Sequence, residues 1–168
     1  TGFGTGSFPS WGGYAIMVAL WIGIIGACSG SSAAGLSVFR VQVLLNGLMA
    51  EIRRIHSSSR IVPLRYDRRP VDRDTLDAIT LYLGAYILTF GVVAVLILDT
   101  GVDIESAIFA SWTSIGNIGY GYGPLVAPTG TFIDFPDPAK LLMILAMIMG
   151  RLSLLSRFVV ALPRFWRA

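Results

Sequence analysis

Residues 117–124 have the sequence Asn-Ile-Gly-Tyr-Gly-Tyr-Gly-Pro (NIGYGYGP) and follow a short apolar segment, residues 103–114. Three glycines alternate here with two tyrosines, and each glycine costs about 1 kcal/mol relative to alanine in a helix. At about 1.5 Å per residue, a helix over residues 103–114 covers only about half of a bilayer. This pattern predicts that the chain enters an apolar layer and returns to the side from which it came.

The composition is that of an integral membrane protein. Of the 168 residues, 54% are hydrophobic and 14% are charged, whereas soluble domains carry about 25% charged residues. The single cysteine, Cys28, excludes an internal disulfide, and the single histidine, His56, argues against a metal site. The chain begins with Thr1 and has no basic leader region, so we expect a fragment or a processed piece of a longer protein.

Three segments are long and apolar enough to cross a bilayer, which takes about 20 residues. Residues 12–39 carry no charge, but glycines and serines are concentrated at residues 26–35. This pattern predicts a helix that is interrupted near the middle of the membrane and resumes to about residue 50. A tight helix–helix contact through small residues is the alternative. The second span is residues 78–98, and the third is about residues 138–162.

The third span contains a charged residue, Arg151. At this depth a charge costs at least about 2.5 kcal/mol on insertion scales. Arg151 is therefore expected to face protein or water and to have a partner. Arg157, which lies further along the span, can extend its guanidinium to the interface.

The basic residues predict the orientation. Residues 99–138 contain no basic residue, whereas the connection between the first two spans is rich in arginine. By the positive-inside rule, residues 50–75 and the C-terminus lie in the cytoplasm. Anionic lipid headgroups could also bind these arginines, but their position between two spans argues against a nucleic-acid partner. The arginines are Arg53, Arg54, Arg60, Arg65, Arg68, Arg69 and Arg73.

Residues 103–114 are predicted to form a pore helix, with Asp103 as its N-cap and Glu105 in its first turn. The partially negative C-terminal end of such a helix points into the membrane and favours a cation. Glycines beyond it let backbone carbonyls replace the water shell of an ion, as in the Thr-Val-Gly-Tyr-Gly filter of potassium channels. An ordinary outward-facing glycine-rich loop is the alternative interpretation.

The N-terminal residues 1–6, TGFGTG, precede the first span as NIGYGYGP precedes the third. The chain therefore contains about one and a half copies of a unit in which an outer helix, a pore helix, a filter and an inner helix follow one another. Internal repetition of this type is typical of pores and transporters.

Six blocks of sequence, in this order and spacing, resemble the C-terminal part of Trk-type bacterial potassium-uptake proteins of the Trk/Ktr/HKT superfamily. The resemblance extends over nearly the whole chain. The blocks are TGF (1–3), GACSGSSAAGLSVFR (26–40), IVPLRYDRRPV (61–71), SIGNIGYGYG (114–123), PDPAKLLMILAMIMGRLSLL (136–155) and LPRFW (162–166).

The resemblance implies an all-α membrane protein of helix–pore loop–helix repeats, about one and a half of an expected four around a pseudo-fourfold pore, with a broken inner helix. Residues 1–50 then end the third repeat, residues 51–74 form a basic cytoplasmic connection, and residues 75–168 form the fourth repeat.

The same resemblance implies a filter whose backbone binds potassium, the only metal expected, and a gate beneath it. The filter residues are Thr1, Gly2, Asn117, Ile118 and Gly119. The gate residues are Gly26, Ser29, Gly30, Ser31, Gly35 and Arg151.

Some residues depart from the family pattern. Ser32, Ala34 and Ser37 stand where family loops often have threonine, glycine and lysine, and Ser153 stands where glutamate is common. These differences concern charge interactions in the gate more than the identity of the ion. Tyr120 stands where the filter often has proline, which leaves the glycine pattern intact.

The function implied is potassium uptake across the inner membrane by a multi-pass protein that is not an enzyme, with no cofactor and with K⁺ as the transported ion. The implied partners are membrane lipids, the remaining pore repeats, a second copy in a homodimer and a cytoplasmic nucleotide-binding regulatory subunit. A non-conducting assembly module is an alternative. A membrane enzyme is another, although no nucleophile–base pair or carboxylate pair supports it.

Overall fold

The computed structural model describes residues 8–26, 35–56, 65–66 and 69–151. This part of the chain is helical, as predicted, apart from a short antiparallel hairpin. The helices are α1 (Gly13–Ile25), α2 (Val38–His56), α3 (Arg73–Asp99), α4 (Ile104–Gly116) and α5 (Asp137–Arg151). A 3-10 turn, Phe8–Trp11, precedes α1, and the hairpin strands β1 (Arg65–Tyr66) and β2 (Arg69–Pro70) follow α2.

The predicted interruption of the first span is confirmed, because α1 and α2 are separate helices. The Leu36 N–H donates to the Ile24 carbonyl at 3.0 Å, so the chain leaves the end of α1 and returns to it before α2 begins. Gly26 and Gly35 have φ values of 69° and 97°, which glycine adopts at little cost. Residues 27–34, between them, lie outside the described part of the chain.

The second half of the broken helix is longer than predicted, because α2 continues past residue 50 to His56. Glu51 and Arg53 are exposed on its last turns. After Arg40, the next charged residue of α2 is Glu51, which marks the edge of the apolar layer, but a helix can continue beyond that edge on its own hydrogen bonds.

Among the described residues, α3 is the one helix long and apolar enough to cross a membrane, with 27 residues and a mean hydropathy of 2.4 over an 18-residue stretch. It contains the predicted span at residues 78–98. The Asp72 carboxylate accepts a hydrogen bond from the Arg73 N–H at 2.8 Å at its start. The 13-residue α1 is apolar but shorter.

Helix α4 lies between α1, α3 and α5 and contacts all three. Ten of its 13 residues are buried. Its N-cap is Asp103, as predicted: the carboxylate accepts a hydrogen bond from the Ser106 N–H at 2.9 Å. Burial of every residue from 109 to 116 fixes the C-terminal half of α4, so the residues that follow it leave from a rigid support.

Small side chains bring α5 close to α4. Ala139, Met143 and Ala146 are buried at helical spacing along α5 and share one core with Ala110 and Ile115 of α4. Alanine at such an interface lets two backbones approach each other. The outer surfaces are apolar instead: Trp21, Leu81 and Leu141 are 70%, 65% and 67% exposed. Exposed apolar surface of this kind requires lipid or further protein to cover it.

Candidate functional site

Helix α4 ends in a sharp turn at the first predicted filter residue of the fourth repeat. Asn117 has left-handed dihedrals, φ 49° and ψ 41°, which asparagine tolerates better than most residues. The Asn117 N–H donates to the Ser114 carbonyl at 3.2 Å, and the Ile118 N–H donates to the Thr113 carbonyl at 3.0 Å. These two bonds form a Schellman motif, which turns the chain away from the helix axis.

The next peptide is tied to the same turn of α4 by a side chain. The Gly119 N–H donates to the Thr113 hydroxyl oxygen at 2.8 Å. Gly119 has a φ of 97°, a conformation that L side chains rarely adopt, and it is exposed. Gly119 is thus held against α4 through its N–H while its other side is open.

These hydrogen bonds fix the direction of two carbonyl groups. In a trans peptide the C=O points opposite to the N–H. Since the N–H groups of Ile118 and Gly119 both point to Thr113, the carbonyls of Asn117 and Ile118 both point away from α4. Two neighbouring carbonyl oxygens on one side of the chain are what a filter needs in order to replace the water of a cation.

The start of this turn also contacts the backbone of α5. The Asn117 side-chain NH₂ donates to the Met147 carbonyl at 3.1 Å. Gly150 lies directly against α4: an added Cβ would overlap the Ile115 carbonyl oxygen and would lie 2.9 Å from the Asn117 amide nitrogen. A glycine at position 150 is therefore required for α5 to reach the end of α4.

After the turn, the chain runs back along α4. Gly123, with a φ of 126°, lies against Ser106 in the first turn of α4, where an added Cβ would be 2.7 Å from the Ser106 nitrogen. Gly121 faces Phe132 and Val126, each 2.8 Å from an added Cβ. The chain thus runs back along α4 and reaches the first turn of this helix at Gly123, as expected for a re-entrant loop.

Two of the predicted gate residues lie at the ends of the interruption between α1 and α2. A Cβ on Gly35 would lie 3.1 Å from the Gly26 Cα, so the two glycines are in close contact. The Tyr82 hydroxyl donates to the Gly35 carbonyl at 3.5 Å, and the Arg40 guanidinium lies 3.8 Å from the centre of the Tyr82 ring. The end of the interruption is thereby joined to α3.

Arg151 is the last described residue of α5 and is exposed. It directly follows Gly150, the residue in contact with the end of α4. Residues 27–34, between the predicted gate residues Gly26 and Gly35, lie outside the described part of the chain. The remaining predicted site residues outside the described part are Thr1, Gly2, Ser29, Gly30 and Ser31.

Sequence reasoning missed Thr113 and Gly150. A threonine in the last turn of a helix can bond either its own helix or the chain that follows, and the sequence does not distinguish the two. A small residue in an apolar helix is a known sign of close helix contact, and Gly150, next to the conspicuous Arg151, could have been found in this way.

The site offers a cation backbone oxygens rather than acidic side chains. No group of three or more His, Cys, Asp or Glu residues that could hold a metal occurs in the described part of the chain. The C-terminal end of α4 carries the partial negative charge of the helix dipole. A half-length buried helix, a glycine-rich return and a long apolar helix beside it define the class of pore-loop membrane proteins.

Comparison with known proteins identifies the family within this class. The family model described as the cation transport protein TrkH matches residues 1–167. The chain therefore belongs to the TrkH family, a family of membrane cation transport proteins.

Curated relatives agree along the whole chain. The Trk system potassium uptake protein TrkI of Halomonas elongata is 31% identical over 99% of this chain and 34% of its own length. The Trk system potassium uptake protein TrkH of Escherichia coli K12 is 30% identical over 99% of this chain and 34% of its own length. The chain thus spans about a third of the curated relatives that it matches.

The fold agrees with a solved structure. The crystal structure of the potassium transporter TrkH from Vibrio parahaemolyticus has a TM-score of 0.88 and 29% identity to this chain, covering 99% of this chain and 35% of that one. The family resemblance inferred from the sequence blocks is confirmed.

The contact at Gly150 predicts a selective effect of one methyl group. In the full-length protein, Gly150→Ala should lower the melting temperature in detergent by several degrees, because overpacking typically costs about 1–3 kcal/mol. Gly84→Ala is the matched control, since nothing lies within 4 Å of an added Cβ at that position of α3. Equal melting temperatures for the two variants would show that α5 does not abut α4 at this point.

Proposed function

We propose that the full-length protein takes up potassium across the cell membrane through a pseudo-fourfold pore. This chain supplies the end of the third repeat, residues 1–50, and the whole fourth repeat, residues 75–168. The observation that carries the proposal is the pair of N–H groups, on Ile118 and Gly119, that bond Thr113. They turn two successive carbonyls away from the pore helix, toward the place where an ion would pass.

The proposed ion-binding backbone of the fourth repeat is Asn117, Ile118 and Gly119, and that of the third repeat is Thr1 and Gly2. A carbonyl oxygen carries no net charge, so several of them replace the water of a monovalent cation without holding it permanently. The curated relatives are named as potassium uptake proteins. Their names and the carbonyl-lined turn together favour potassium.

The proposed gate is the interruption between α1 and α2 together with Arg151. A broken helix leaves backbone carbonyls without helical partners, and an arginine has five donors. We propose that Arg151 donates to carbonyls of the loop that contains Ser29, Gly30 and Ser31, between Gly26 and Gly35. Its positive charge also raises the barrier for a cation in the pore.

The proposed orientation places residues 50–75 and the C-terminus in the cytoplasm of a multi-pass inner-membrane protein. The hairpin in this connection contacts α2 through the Tyr66 and Phe39 rings, which meet edge to face at 4.8 Å. We propose that the protein is a homodimer and that a cytoplasmic nucleotide-binding regulatory subunit contacts this basic connection. The β1–β2 hairpin would provide an ordered surface for the regulatory subunit.

The filter proposal predicts that Gly119→Ser reduces the preference of the full-length protein for potassium over sodium. A side chain at a φ of 97° is strained by about 1 kcal/mol or more. If that strain is transferred to the ion site, the preference falls about fivefold. The measurement is rubidium uptake with sodium as competitor, in cells that lack other potassium uptake systems.

The matched control is Gly130→Ser, at a φ of 65° in a loop where nothing lies within 4 Å of an added Cβ. This variant also places a side chain at a positive φ, but away from the filter, so its rubidium uptake and sodium competition should equal those of the wild type. If both variants behave alike, Gly119 has no special role at the ion site. If the wild type takes up no rubidium, the protein is the non-conducting assembly module.

The gate proposal predicts that Arg151→Ala increases passive potassium leak through the full-length protein, measured as efflux from loaded vesicles. Deletion of residues 29–34 should have the same effect. Because both changes remove the same barrier to ion flux, the combined variant should leak no faster than the leakier single variant. Leak rates that multiply in the combined variant would show that Arg151 acts elsewhere, for example in helix packing.

A further inference from the structure

Three aromatic rings join the chain that follows the two filters; we call Phe8, Trp11 and Tyr120 the aromatic brace. The Phe8 and Tyr120 rings are stacked, with centroids 5.0 Å apart and planes 12° apart. Trp11 contacts both rings, with its centroid 5.3 Å from that of Phe8 and 6.3 Å from that of Tyr120. Phe8 is 4% exposed, so the stack is an internal contact.

Each end of the brace is near a filter in sequence. Tyr120 directly follows the filter residue Gly119, and Phe8 is six residues after Gly2. Phe8 and Trp11 belong to the 3-10 turn that leads into α1. The brace is therefore a direct contact between the segments that leave the third and fourth filters.

Further rings connect the brace region to the pore helix. The Tyr122 ring meets Phe109 of α4 at 4.9 Å, and Phe109 meets Trp112 at 5.8 Å. Trp112 lies directly against Gly23 of α1, where an added Cβ would overlap it. Phe8 and Tyr120 thus belong to one apolar cluster with residues of α1 and α4, whereas Trp11 is 51% exposed at the edge of that cluster.

The brace acts on the part of the filter that α4 does not hold. On the near side, Gly119 is tied to Thr113 by its N–H. Beyond Gly119, a glycine backbone has wide freedom, and Tyr120 is the first side chain that can restrict it. A ring fixed in a stack restricts that freedom through the Cα of Tyr120, which is two bonds away from the carbonyl carbon of Gly119.

We propose that the aromatic brace determines ion specificity by fixing the chain that leaves the fourth filter against the segment that leads into α1. This inference rests on the proposed function. The three residues position the filter and do not touch the ion. A filter that can narrow or rearrange its carbonyls accommodates the smaller sodium ion as well, so loss of the brace lowers discrimination even where potassium still passes.

The test uses the full-length protein in cells without other potassium uptake, with potassium and sodium influx measured separately and membrane abundance checked by immunoblot. Tyr120→Leu keeps an apolar side chain and removes the ring, so the potassium-to-sodium influx ratio should fall several-fold. Tyr120→Phe keeps the ring and should retain the wild-type ratio. Tyr14→Leu is the matched control, because Tyr14 is 86% exposed on α1.

Phe8→Leu provides an independent variant on the other segment, should Tyr120→Leu fail to accumulate. It should lower the potassium-to-sodium influx ratio by a similar factor. The variant with both Phe8→Leu and Tyr120→Leu should have a ratio no lower than that of the more affected single variant, because both changes remove the same stack. The brace is overturned if Tyr120→Phe loses discrimination like Tyr120→Leu, or if both leucine variants keep the wild-type ratio. Absence of potassium influx in the wild type would instead contradict the proposed function itself.

Discussion

The direction of the carbonyl groups after α4 depends on one hydrogen bond, from the Gly119 N–H to the Thr113 hydroxyl at 2.8 Å. Together with the bond from the Ile118 N–H to the Thr113 carbonyl, it points two amide groups at the pore helix. Planar trans peptides then point the carbonyls of Asn117 and Ile118 the other way. The proposed ion site is in this sense a consequence of how α4 ends, and not of any acidic side chain.

A site of this kind requires its support to be rigid. Helix α4 is short, so its stability comes from tertiary packing and not from helix propensity. The packing is close: Gly150 places the backbone of α5 against the Ile115 carbonyl, and Asn117 donates to Met147 of the same helix. Helix α5 thereby supports the residues proposed as the filter, and a movement of α5 would be transmitted to Asn117 through these direct contacts.

Much of the fold follows from residue types that are close together in the sequence. The break after α1 follows from small and flexible residues within an uncharged span, and the pore helix follows from Asp103 and the glycines beyond residue 116. The contacts of Thr113 and Gly150 were not predicted, because they join residues whose partners are set by the return of the chain. The end of α2 was also missed, since a helix need not stop where the apolar layer stops.

The central claim is that the carbonyls of Asn117 and Ile118 bind the transported ion. Anomalous diffraction from crystals of the full-length protein grown with thallium, a heavy substitute for potassium, tests it most directly. The account predicts an anomalous peak beside these two carbonyl oxygens that weakens when potassium is added in excess. A well-ordered filter with thallium bound elsewhere, and none beside residues 117 and 118, would contradict the account.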